Sequence, residues 1–167
     1  LATFNGYLDT VAAGLDALQQ KLIVVIWRLM SEMNGNWFWW GHRSQADYIA
    51  LWRYVFNYLT VGKSLHHLIW VYESDSGTHS GTPSDYYFPG ADYVDVVGHN
   101  MYDDTWQLPF DLNRLYREYG KVYAFPQAGS NNQSPLRLIQ YGWDSMVMIN
   151  AIRARHPRAS YFCAWDT

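Results

Sequence analysis

The residues that could do chemistry crowd into one stretch, Ser31-Glu32-Met33-Asn34-Gly35-Asn36-Trp37-Phe38-Trp39-Trp40-Gly41, where a carboxyl and an amide are followed by four aromatics. A polar, glycine-flanked loop has no obvious use for four buried rings. A glutamate can pass a proton to or from a reacting oxygen. Trp and Tyr offer flat apolar faces with a polar handle, which suits stacking on sugar rings as well as filling a core. A second polar group follows further on, where His99, Asn100, Asp103 and Asp104 surround Tyr102. Side chains of those types can donate and accept hydrogen bonds to hydroxyls, and a few such groups fix a ligand's orientation in a mostly apolar pocket. The chain's 9 Trp and 14 Tyr are well above ordinary usage.

Other chemistries find less support. His66 and His67 are adjacent and point apart in extended backbone, and His42, His79, His99 and His156 show no His-x-x-x-His or Cys-x-x-Cys spacing. No metal and no cofactor is expected. Ser31, Ser130 and Cys163 lack a Gly-x-Ser-x-Gly context, so triad chemistry is unsupported. The single Cys163 cannot form an internal disulfide and reads as a small buried hydrophobe. A formal net charge of -3 with no Lys/Arg run argues against nucleic acid as a partner. The sequence opens Leu1-Ala2-Thr3-Phe4-Asn5 without a basic segment before an apolar one, and no apolar run reaches membrane-spanning length, so a soluble chain is expected.

The elements that must position these groups alternate. Leu8, Val11, Leu15 and Leu18 recur at helical spacing within 7–20, and the apolar run 22–29 reads as a strand buried on both faces. Helices are then predicted over 45–59, 112–119 and 136–155, and strands over 65–72, 93–98, 121–125 and 160–165. The Ser/Gly/Thr-rich stretch 74–83 reads as a loop. Such alternation implies parallel strands joined by crossover helices, and 167 residues suit one domain. No glycine-rich phosphate loop follows the first strand, which disfavours a Rossmann cofactor site. The candidate residues fall after strand C-termini, where parallel α/β folds gather their ligands. Five strands cannot close an eight-stranded barrel, so the sheet must stay open, flatten, or be completed by another chain.

The stretch from Arg28 through Gly41 resembles glycoside hydrolase family 26, the endo-β-1,4-mannanase family, whose fourth barrel strand ends in an arginine, a His-Glu pair and a Met-Asn-Gly-x-Trp-Phe-Trp-Trp-Gly run. Leu68-Ile69-Trp70-Val71-Tyr72 is similar to the family's fifth strand, and 86–104 to the approach and end of its sixth. The resemblance runs from the helix before strand four through strand eight, without strands one to three. It implies a partial (β/α)8 TIM barrel of about five parallel strands over 1–167. It places Glu32 as the general acid/base and Gln127, in Phe125-Pro126-Gln127-Ala128-Gly129, where the nucleophile glutamate belongs. Ser31 stands where the family has histidine. The resemblance further implies sugar contacts at Arg28, Asn34, Trp37, Trp40, Tyr102 and Trp165, to which His99 is added as a hydrogen-bonding group.

A retaining glycosidase needs two carboxyl groups about 5–5.5 Å apart, one to protonate the leaving oxygen and one to attack the anomeric carbon. An amide cannot form the usual glycosyl ester. The expectation is a binder of β-mannan or a related β-1,4-linked polysaccharide with little or no hydrolysis. The rival is a hydrolase of the mannanase type, active, attenuated or trapped, in which Gln127 is either an engineered trap or is replaced in function by another carboxylate such as Asp95, Asp103 or Asp166. Free sheet edges and an apolar inner face also predict a homo-oligomer completed by a second copy. The resemblance alone implies secretion.

Overall fold

The computed structural model describes residues 2–75, 82–102, 110–129 and 145–164. Along them run α1 (Ala2–Gln19), β1 (Val25–Arg28), α2 (Gln45–Asn57), β2 (Leu68–Ser74), β3 (Val96–His99), α3 (Phe110–Glu118), β4 (Val122–Ala128), α4 (Ser145–Arg155) and β5 (Phe162–Ala164). The strands form one parallel sheet in chain order, β1-β2-β3-β4-β5. Among the described residues, parallel strands with α-helices in three of the four connections are what the alternation predicts, and they form the partial barrel that the resemblance implies.

Strand side chains alternate between faces. Leu68, Trp70 and Tyr72 of β2, Val97 of β3, and Tyr123 and Phe125 of β4 pack with Leu8, Trp52, Leu59, Leu112, Leu115 and Met148 in the main core, against the helices. The opposite face carries a smaller cluster of Val71, Val96 and Ala124, with Ile69 and Tyr161 packed on it. Glu73 falls on this second face by the same alternation. Gly98 of β3 lies between Glu73 and β4: a Cβ there would come within 2.4 Å of Pro126 Cγ and 3.0 Å of Glu73 Cβ. Gly98→Ala is expected to lower stability by about 1–3 kcal/mol through overpacking, read as an earlier urea midpoint with an unchanged slope.

The structure departs from the sequence reading at the sheet's margins. Leu22, Ile23 and Val24 precede β1, which starts at Val25, and all three are exposed, as is Ile26 within the strand. β1 is an edge strand whose inner face has no covering layer, so it is not buried on both faces. β5 is the other edge, with Phe162, Cys163 and Ala164 all exposed. Cys163 is therefore not a buried hydrophobe. β2 starts at Leu68 and continues past Tyr72 to Ser74, and β3 starts at Val96 rather than at Tyr93, which ends a 3-10 turn, Ala91–Tyr93. Residues 136–144 of the predicted last helix lie outside the described residues. Among the described residues no helix is long and apolar enough to cross a membrane, and no group of three or more His, Cys, Asp or Glu could hold a metal ion.

Candidate functional site

Glu32 sits just beyond the C-terminal end of β1, in a turn where both Met30 (φ 46) and Glu32 (φ 54) take left-handed backbone. Non-glycine residues rarely adopt it, and it persists only where the surroundings over-determine it. Each peptide of the turn is tied down. Tyr48 donates its hydroxyl to the Met30 carbonyl at 3.0 Å, Trp40 its indole N–H to the Ser31 carbonyl at 2.8 Å, and the Glu32 N–H bonds the Glu73 carbonyl at 3.1 Å. Asn34 clamps the loop to the end of β2, giving its amide hydrogen to the Asp75 carbonyl at 3.1 Å and accepting the Asp75 N–H at 2.8 Å.

The Glu32 carboxylate accepts two hydrogen bonds, from Trp37 Nε1 at 2.8 Å and from Asn100 Nδ2 at 2.6 Å. Trp37 reaches it by folding over Gly35, where a Cβ would lie 2.3 Å from the indole ring. Half of the Trp37 indole stays in solvent, at 46% exposure.

A second carboxylate, overlooked in the sequence, lies behind the first. Glu73 is fully buried and takes a two-pronged bond from Arg28, Nε to Oε2 and Nη2 to Oε1. Asn100 Nδ2, which bonds Glu32, is also 3.3 Å from Glu73 Oε1, so one amide nitrogen bridges both carboxylates. Burial raises the Glu73 carboxyl above the usual carboxylate range, while Arg28 and Asn100 pull against it. Desolvation is the largest single influence on Arg28 and works against its charge, but the hydrogen bond and the negative charge of Glu73 act together to leave the guanidinium raised. Tyr161, on the same inner face, is pushed up to about 12 by burial and then by the charge on Glu73.

Gln127, near the end of β4, is half-buried, and its Oε1 accepts the Tyr102 hydroxyl at 2.9 Å. The chain after β3 is bound alongside: Met101 N–H to the Gln127 carbonyl at 2.8 Å and Gly129 N–H to the Met101 carbonyl at 3.0 Å. Burial first, and the Glu32 charge second, raise the Tyr102 phenol far above its ordinary value, so it keeps its proton and donates.

Of the residues singled out in the sequence, Arg28, Glu32, Trp37, Tyr102 and Gln127 gather at the C-terminal ends of the strands. Asn34 and His99 are buried, at 0% and 1% exposure, and Glu32 nearly so, at 8%. Trp40 is half-buried, stacked on Phe38 with ring centres 4.5 Å apart. Asp95 accepts the Trp70 N–H at 2.8 Å, at the start of β3 and so at the other end of the strands. Trp165, Asp103, Asp104 and Asp166 lie outside the described residues. A cavity of about 570 Å³ lies between α4 and the start of β5, lined by Ile152, His156, Pro157 and Tyr161.

Chemically, the arrangement offers one carboxylate held by two donors, a half-exposed indole beside it, and a neutral amide with a phenol. The profile of glycosyl hydrolase family 26 matches residues 2–167. Mannan endo-1,4-beta-mannosidase A and B of Caldalkalibacillus mannanilyticus is 38% identical over 95% of this chain and 31% of its own length. The mannan endo-1,4-beta-mannosidase of Bacillus subtilis is 35% identical over 97% of this chain and 44% of its own. Among solved structures, a Bacillus subtilis mannanase superimposes with a TM-score of 0.80 at 31% identity, over 98% of this chain and 48% of that one. The chain thus spans less than half the length of these relatives.

Proposed function

The chain belongs to glycosyl hydrolase family 26, and from that premise we propose that it binds β-mannan or a related β-1,4-linked polysaccharide with little or no hydrolysis. The observation that carries this reading is Gln127. An amide, held by Tyr102, occupies the position that the family resemblance assigns to the attacking carboxylate. Glu73, the carboxylate bridged to Glu32, is no substitute nucleophile, because it is fully buried and forked by Arg28. Asp95 is committed to the backbone of β2. Glu32 then serves as an acceptor for sugar hydroxyls, Trp37 as the stacking platform, and Tyr102 with Gln127 as a polar edge. In this reading Asn34, His99 and Trp40 hold the loops that shape the cleft. A polymer of this size places the work outside the cell.

Incubation with β-mannan should release no reducing ends above a blank, and release at enzyme-like rates would make the chain a hydrolase. Trp37→Ala is expected to weaken binding of manno-oligosaccharides about tenfold, ~1.4 kcal/mol, measured by calorimetry. Ile26, Val122 and Phe162 leave apolar surface open near the two sheet edges, which supports a second copy completing the barrel. Light scattering should give twice the 19.5 kDa chain mass; a single-chain mass at all concentrations would count against the pairing.

A further inference from the structure

We propose that the pocket between Trp39 and the start of α2 is a second carbohydrate contact, outside the cleft, that takes one pyranose ring of a β-linked polysaccharide. The choice of ligand class rests on the reading above; the pocket itself does not. Trp39 is the most exposed indole of its loop, at 61%. The other two have their N–H groups occupied, Trp37 by Glu32 and Trp40 by the Ser31 carbonyl. The Trp39 N–H has no partner among the described residues.

The ring is nevertheless held in place. It stands edge-on to Trp40, ring centres 5.4 Å apart and planes at 83°, and its carbonyl accepts Arg43 Nε at 2.7 Å. Together Trp39, Trp40, Arg43, Ser44, Asp47 and Leu51 line a cavity of about 280 Å³. That is at the small end for ligand pockets, which suits one ring and not a chain. One wall is indole, and the rim carries a guanidinium, a hydroxyl and a carboxylate. A pyranose matches that division, with an apolar C–H face and a rim of hydroxyls that donate and accept. Arg43 beside Asp47 gives no excess positive charge to select a phosphate. On a polymer, a second weak contact raises overall retention without tightening the cleft itself.

The test follows the indole ¹H–¹⁵N resonances of the intact protein while methyl β-mannoside and then mannobiose are added, with Trp39→Ala used to assign its signal. The Trp39 resonance should move saturably, and do so equally in Trp37→Ala. Trp39→Ala should weaken retention on immobilised β-mannan about tenfold. A Trp39 resonance that stays still at saturating sugar, or that moves only while Trp37 is present, would overturn the proposal. If Trp39 responds and Trp37 does not, the second contact stands and the cleft reading fails.

Discussion

Gln127→Glu is expected to raise reducing-end release from mannohexaose on the order of 10³-fold over the unchanged protein, about 4 kcal/mol off the barrier. The reason is the division of labour in retaining hydrolysis, where one carboxyl protonates the leaving oxygen and the other attacks the anomeric carbon. Glu32 is already positioned by Trp37 and Asn100. Tyr102, which keeps its proton, would donate to the new carboxylate as it now does to the amide. Ser31, in place of the family's histidine, limits the gain to well below a full enzyme. If the variant releases no more than the unchanged protein while still binding sugar, Gln127 is not what limits hydrolysis.

Arg28→Ala is expected to cost about 3–5 kcal/mol of folding stability at neutral pH, because it leaves the fully buried Glu73 carboxylate unpaired. Replacing both partners together, with Arg28→Met and Glu73→Leu, should cost much less, since no buried charge then remains. The pH dependence has a definite sign. Glu73 is already raised by burial, and losing Arg28 removes the attraction that opposes the rise. A carboxyl whose folded-state value lies above its unfolded one favours the fold at low pH and loses that contribution as pH climbs through the folded value. The deficit of Arg28→Ala should therefore shrink as pH falls from 7 toward 5, in urea titrations on both proteins. An equal deficit at both pH values would mean that Arg28 acts by packing alone.

Much of this architecture is legible in the sequence because it is written in local patterns. Helical spacing from Leu8 to Leu18 and the apolar runs around Trp70 and Tyr123 give the order of elements, and the loop from Ser31 to Gly41 announces itself by composition. What is not legible depends on partners distant in the chain. Glu73 sits one residue past Tyr72, where the apolar run ends, between the predicted strand and the predicted loop. Continuing the alternation of Ile69 and Val71 two residues further would have put it on the inner face beside Arg28. Asn34 is marked as a sugar contact only by the family resemblance. Its actual partner is the backbone of Asp75, and only the folded sheet brings the two together. Leu22, Ile23 and Val24 carry a strand's residue types but lie before an uncovered edge, and the sequence does not say which strand is the edge.

The measurement that tests the account most directly is calorimetric titration with manno-oligosaccharides, with cello-oligosaccharides in parallel, followed by recovery of the cell contents to determine chain lengths. Saturable heat is expected with the manno-oligosaccharides, together with recovered sugar of unchanged length. Shortened chains would contradict it by showing a working hydrolase whose nucleophile is not at Gln127, and absence of binding would remove the carbohydrate site altogether.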